Sequence, residues 1–305
     1  MTKKNDTLEK HHANEKDNNI RFYEKGHKYE VLTDKKAKYT SVTTFVHYQF
    51  PKFDANAVIE TMMQSKGWGP DHKYWGQTPE QIKAGWIKNG TAVSTAGTNL
   101  HYKIECFMNN DKLEKGYSNK DLLKYYLNNQ SNQNQANQDQ NQANQDQNQT
   151  NIILDKNVND NDIEWNYFIN FLKDHPDLKP YRTEWKVYDE DIKISGCIDM
   201  VYENPDGTLS IYDWKRSKEI TTTNTWNKFA LTPCLKHIPD TNFWHYSLQL
   251  NIYKTMLEEK YNKTIKDLYL VRFHSNNEEQ TYELLPVPFL KQEINDLFAL
   301  RKQQL

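Results

Sequence analysis

Alternating apolar and polar positions are clearest over residues 192–218, IKISGCIDMVYENPDGTLSIYDWKRSK. Four turn-formers in a row, Asn204, Pro205, Asp206 and Gly207, divide two such runs, so the stretch predicts a β-hairpin. Side chains along a strand point to opposite faces in turn. Cys197 and Asp199 therefore share a face of the first strand, and Ile211, Asp213 and Lys215 share a face of the second. A turn closing around Asp206 sets Asp199 roughly opposite Asp213.

The same reading assigns the rest of the chain. Residues 20–32 alternate on both sides of Glu24, Lys25 and Gly26 and predict another hairpin. YTSVTTFV, residues 39–46, is short and β-branched. Residues 53–68 predict a helix capped by Asp54, with Ala57, Val58, Ile59, Met62 and Met63 as its core stripe. Thr78, Pro79 and Gln81 form a capping-box start for a helix that carries Ile82 and Trp86 inward and breaks near Asn89 and Gly90; a second helix covers 92–108. Helical spacing resumes at 162–172, followed by a strand at 181–187. After the central hairpin, Trp226 either stacks on a base or anchors a long loop. A helix at 243–259, strands at 265–273 and 282–286 and a helix at 289–300 complete the order. It predicts an α/β fold, a central mixed β-sheet flanked by helices.

Two stretches lack periodicity. Residues 1–18 are charged and predict a flexible tail, with His11 and His12 as tail composition. Residues 129–150 repeat NQANQDQ in tandem and hold no apolar side chain larger than alanine, so they predict a disordered insertion in a single domain spanning 19–305.

Composition narrows the chemistry. Hydrophobic residues make up 36%, which is low, but 13% aromatic content is enough for a core built on large rings. A net charge of −2 gives no global basic field, so any nucleic-acid surface must be local. Three separated cysteines without a CxxC pair argue against a zinc ribbon or a disulfide framework. No apolar run reaches membrane-spanning length, which predicts a soluble, intracellular protein without membrane partners.

Two carboxylates facing each other across a strand pair repel unless a cation lies between them. Asp199, Asp213 and the Trp214 carbonyl offer oxygen ligands to Mg²⁺, with Lys215 beside a bound water. His101 and Glu105 stand i, i+4 on one helix face, and so do Gln249 and Tyr253.

An acid on one strand followed by acid, any residue and lysine on the next resembles the PD-(D/E)xK nuclease superfamily. GTNLHYKIE (97–105) and HYSLQLNIY (245–253) resemble the helices flanking the sheet in its RecB-type branch, which includes lambda-exonuclease-like phage and viral enzymes. The resemblance implies a restriction-endonuclease-like core and a metal site of His101, Glu105, Asp199, Asp213 and the Trp214 carbonyl. It further implies catalytic roles for Asp199, Asp213, Lys215, Gln249 and Tyr253. Around them, Ser41, Thr43, Arg182, Glu184, Arg216 and Arg272 form a substrate-binding set. For Ser41 and Thr43 the alternative is a helix cap, for Arg182 neutralisation of Glu184, and for Arg272 a solvated edge charge. Glu184 itself either touches metal or buttresses Lys215. Mg²⁺ is the implied cofactor, Mn²⁺ the alternative a histidine ligand favours; three cysteines cannot build the iron–sulfur cluster of some RecB-type nucleases.

DNA is the implied partner, and the implied activity is an exonuclease of recombination, repair or replication leaving 5′-phosphate and 3′-hydroxyl ends. A structure-selective endonuclease or resolvase, and an inactive DNA-binding scaffold, are the alternatives. Nothing in the sequence marks an interface for a homo-oligomer or a recombination partner.

Overall fold

A computed structural model describes residues 7–139 and 162–305, with backbone alone for 131–139. The central hairpin is formed by β5 (Ile194–Glu203) and β6 (Leu209–Lys215). Gly207 closes its turn at φ 80°, a conformation that a Cβ would strain. Around this pair lie β3 (Thr40–Ser41), β4 (Lys179–Asp189), β7 (Ile265–Arg272) and β8 (Glu283–Pro286), in the order β3-β5-β6-β7-β8 with β4 on the other edge of β5. The pairing is mixed: β6 runs parallel to β7, while β4 and β6 run antiparallel to β5. A separate ribbon joins β1 (Ile20–Tyr23) to β2 (Lys28–Val31).

Helices cover both faces of the sheet. On one side α2 (Val42–His47), α7 (Asn242–Lys260) and α8 (Lys291–Gln303) bring Phe45, Leu248 and Ile294 onto Val187, Ile198 and Ile211. On the other, the C-terminal half of α4 (Pro79–Met108), with α5 (Asn119–Asp139) and α6 (Ile163–Asp174), packs Ile104, Leu122 and Trp165 onto Met200, Tyr212 and Trp214. Among the described residues no helix is long and apolar enough to cross a membrane.

The sheet forks at the hairpin. One edge of β5 pairs with β4 from Asp189↔Ile194 to Lys179↔Glu203. Its other edge is shared: β3 takes Ile194 and Ser195, β6 takes residues 200–203, and among the described residues no strand pairs with 196–199 there. β7 pairs with β6 along its whole length, Leu209 to Lys215, so beyond Tyr212 that is the edge of β6 that stays paired. Asp199 stands at the point of divergence.

Strict alternation slips at the same level. Thr183↔Met200 and Trp185↔Ile198 keep one register, with Glu184 and Asp199 facing each other between them. Glu184 has φ 47°, the left-handed region that costs a residue with a Cβ about 1–3 kcal/mol. Arg182 consequently lies over the ring of Trp185, 4.8 Å from its centroid, rather than sharing a face with Glu184. Ile198 and Val201 belong to one core and Met200 to the other, so β5 slips as well.

Several expected elements need correction. The predicted tail is ordered from Thr7: α1 (Thr7–His11) buries Leu8 in the α4–α6 core, and the Leu8 N–H donates to Asn109 Oδ1 at 3.0 Å. Its charges are partners of buried groups far along the chain, as Asp17 is of Arg182 at 2.7 Å. The predicted break at Asn89 and Gly90 is absent, and α4 is continuous across them. An interior glycine costs only about 1 kcal/mol relative to alanine, and the Thr78–Gln81 capping box starts a helix whose far end is anchored by buried Leu100 and Ile104. In the predicted insertion, residues 129–139 continue α5, because no proline or glycine stops the helix that Leu122 and Tyr126 anchor; residues 140–150 lie outside the described residues. In α3 (Ala55–Met63) the Asp54 cap is present, yet only Ile59 is buried, so Met62 and Met63 are peripheral. Trp226 is exposed and anchors nothing.

Candidate active site

Asp199 replaces the backbone partner that the fork removes from β6. Its Oδ2 accepts the Trp214 N–H at 2.9 Å, and its own carbonyl accepts the Thr183 hydroxyl at 2.8 Å. The continuous α4 delivers His101 to this point. Nε2 of His101 lies 2.9 Å from the Trp214 carbonyl oxygen, which only accepts, so Nε2 carries the proton and donates. That leaves Nδ1 facing Asp199 Oδ2 at 3.6 Å and Glu184 Oε1 at 3.9 Å. Cys197 supports the arrangement from below: its thiol donates to Glu184 Oε2 at 3.1 Å, and burial followed by the Glu184 charge pushes its pKa up, so it remains a donor.

Asp213 and Lys215 form a second, buried unit beside the first. Their side chains are ion-paired, and Gln249 Nε2 of α7 donates to Asp213 Oδ1 at 3.4 Å. Burial pushes the Asp213 carboxyl up to about 7; Lys215 opposes this shift and the neighbouring Asp199 adds to it. Burial works against the Lys215 charge, but Asp213 and Asp199 hold its pKa above the ordinary lysine range.

Three carboxyl groups thus converge on one imidazole and one ammonium. His101, Glu184 and Asp199 each offer a ligand atom within 4.8 Å of the others, a nitrogen and two carboxylates of the kind that hold a divalent cation. In this arrangement the Trp214 carbonyl is the hydrogen-bond partner that fixes the His101 tautomer, a common supporting role around a metal-binding histidine.

Residues 74–303 match the family model of the PD-(D/E)XK nuclease superfamily. The chain belongs to this superfamily. PD-(D/E)XK nucleases use divalent metals, in keeping with the acidic cluster. The match is to the superfamily and not to a branch within it. No curated protein matches the chain. Among solved structures, one titled "Crystal structure of SSO0001" aligns at 14% identity over 40% of this chain and 47% of that chain, with a TM-score of 0.21, too low to carry an argument.

Of the residues expected at the nuclease site, His101, Glu184, Asp199, Asp213, Trp214, Lys215 and Gln249 come together. Glu105 is buried in α4 outside the cluster of three. Tyr253 is buried with its ring against Gly196 of β5; burial, then Tyr29, Cys197, Asp199 and Asp213, raise its pKa, so it lies close to the carboxylates. Ser41 caps α2, accepting the Thr44 N–H at 3.1 Å and donating to Thr44 Oγ1 at 2.8 Å. Thr43 is exposed on a cleft between α2 and α7. Arg182 is buried, paired with Asp17, bonded to the His12 carbonyl at 3.0 Å and stacked over the Trp185 ring, on the side away from Glu184. Arg216 pairs with Glu164 at 2.9 Å. Arg272 donates to Glu283 at 2.5 Å and to the Lys218 carbonyl at 2.7 Å.

Two residues near the site escaped the sequence reading. Tyr246 lies under Lys215, and the helical spacing Tyr246, Gln249, Tyr253 was the signal available for it. Tyr29 of β2 stands near Cys197, Glu184 and Asp199, and burial first, then these groups, raise its pKa. No local pattern in the sequence marks it.

Proposed function

We propose that the protein is a divalent-metal-dependent nuclease of DNA, an exonuclease leaving 5′-phosphate and 3′-hydroxyl ends. The observation that carries this reading is the meeting of His101, Glu184 and Asp199 with the buried Asp213–Lys215 pair at the fork of the sheet. His101 through Nδ1, Glu184 and Asp199 would hold Mg²⁺ or Mn²⁺, with Asp213 at its border. Such an ion polarises a phosphate and lowers the pKa of water.

The chain's own groups do the rest. Lys215 donates to a nonbridging phosphate oxygen and offsets the charge that grows there as the water oxygen bonds to phosphorus. The attacking water gives up its proton to bulk water as its oxygen bonds to phosphorus; the P–O3′ bond breaks with its electron pair on O3′, which takes a proton from solvent and leaves as the hydroxyl. Gln249 holds Asp213 in place, and Asp199 ties β6 to β5 through Trp214, so the two units keep their spacing. The motifs at residues 97–105 and 245–253 support the exonuclease assignment by their resemblance to RecB-type enzymes.

The test compares end-labelled linear duplex with covalently closed circular DNA, in Mg²⁺, Mn²⁺ or EDTA, beside Lys215→Ala. Loss of linear DNA alone, requiring metal and Lys215, supports the exonuclease. Cutting of the closed circle makes the protein an endonuclease. Binding without cleavage in either metal makes it a scaffold and overturns the proposal.

A further inference from the structure

Tyr246 and Gln249 lie one turn apart on α7 and touch opposite members of one ion pair. Gln249 reaches Asp213, while the ring of Tyr246 faces Lys215, with Nζ 4.6 Å from its centroid. Lys215 is largely buried, with 16% of its side chain exposed, so few water dipoles compensate its charge. The negative face of an aromatic ring attracts an ammonium most strongly in such a desolvated setting. Behind Tyr246, the next residues of α7, Ser247 and Leu248, are fully buried, which fixes the helix against the sheet.

A ring suits this place better than another carboxylate. On the nuclease reading, a cation at the site draws on Asp213, and the ammonium then loses part of the charge that faces it. The phenol ring is neutral and carries a fixed quadrupole. The ring face takes at most one of the three ammonium N–H groups and Asp213 takes another, which leaves one for a phosphate oxygen. Tyr246 also forms part of the wall of the cleft between α2 and α7, with Thr43, His47, Asn242 and His245, adjoining the catalytic pair.

We propose that Tyr246 is a positioning residue for the nuclease reaction, holding the Lys215 ammonium by its ring face so that it meets the scissile phosphate. This rests on the nuclease reading above. The experiment measures single-turnover cleavage of linear duplex by wild type, Tyr246→Leu, Tyr246→Phe and a series of increasingly fluorinated phenylalanines at position 246. Alongside, ¹⁵N-lysine NMR follows the ring-shifted Lys215 ammonium signal. The expected result is a rate loss of about 5- to 30-fold in Y246L, the effect of losing one desolvated cation–π contact, with KM for DNA little changed. Y246F recovers most of that loss, and each added fluorine lowers the rate while the ring's shape is nearly kept. A structural role would not track fluorination, and the series stays informative even where Y246L folds poorly. A flat fluorine series, or Y246L as fast as wild type, overturns the proposal and leaves the nuclease reading standing. Wild type that cleaves no DNA in any metal overturns the nuclease reading and this proposal together.

Discussion

Replacing Gly196 with alanine puts a methyl group where β5 has no room for one. A Cβ built there lies 2.5 Å from Tyr253 Oη, 2.7 Å from Cε1 and 3.0 Å from Cζ. Ordinary carbon contacts begin near ~3.5 Å, so strand and ring must separate by about 1 Å. Tyr253 is buried in the middle of α7 and cannot swing into solvent. The strand therefore takes much of the movement, and Asp199 is three residues along it. Overpacking of this kind costs about 1–3 kcal/mol, whereas misplacing a catalytic group by about 1 Å costs on the order of 100-fold in rate. Activity should fall further than stability does. Chemical denaturation gives the first quantity, and cleavage of linear duplex well below the melting temperature gives the second. In a double-mutant cycle with Tyr253→Leu, the two changes should couple favourably by about 0.5–3 kcal/mol, since the ring that blocks the methyl is gone. Wild-type stability and rate in Gly196→Ala, or strict additivity in the cycle, would refute the close approach of Tyr253 to β5.

Other residues separate structure from chemistry. Arg182→Met removes the guanidinium from Asp17, whose side chain is only 8% exposed and keeps just the Asn14 N–H and Trp185 Nε1–H as donors, so unfolding should become easier, toward the low end of about 3–5 kcal/mol, while KM for DNA holds; weakened DNA affinity in a stably folded variant would support the phosphate-binding role. Glu184→Gln should weaken Mn²⁺ binding by at least about 10-fold in calorimetry, and Glu105→Gln should not; the reverse order would exchange their roles. Burial, helped by Lys115, His11, Arg182 and Lys263, holds His12 down to about 4 against 6.5 unfolded. The unfolded chain therefore binds this proton first, so the contribution of neutral His12 is complete above pH 6.5 and lost as pH falls toward 4. His12→Phe preserves the ring stacked 4.1 Å from Tyr181 and should flatten the melting temperature between pH 4 and 6.5; an unchanged slope would place the titration elsewhere.

Much of this was legible because it depends on neighbours in sequence. The Asn204–Gly207 turn fixes the hairpin, and the hairpin sets the levels of Asp199 and Asp213. Thr78 and Gln81 mark the start of α4, and helical spacing links Gln249 to the site. What could not be read belongs to partners far apart in the chain. The charged N-terminal residues look like a solvated tail until Arg182 is placed beside Asp17, and Tyr29 has no catalytic signature apart from the carboxylates it meets across the fold. The arginines raise a related point. A positive charge near an acidic site reads as a phosphate contact, yet Arg216 and Arg272 each have an acidic partner within 3 Å, Glu164 and Glu283.

The slip at Glu184 and Asp199 is the most instructive failure of pattern, because period two is the rule that found Asp199 in the first place. A strand that kept strict alternation would carry Arg182 on the same face as Glu184, where the guanidinium would neutralise the acid and compete with a cation. The left-handed residue costs about 1–3 kcal/mol locally, and it separates these two groups: Arg182 turns to Asp17 and the Trp185 ring, while Glu184 turns to His101 and Cys197. The fork acts in the same sense, since removing a backbone partner from residues 196–199 leaves Asp199 free to bond the Trp214 N–H and to face His101. In both places regular pairing gives way where carboxylates must converge without a resident arginine. Local rules should break at a site whose charge is to be balanced by a ligand and not by the fold.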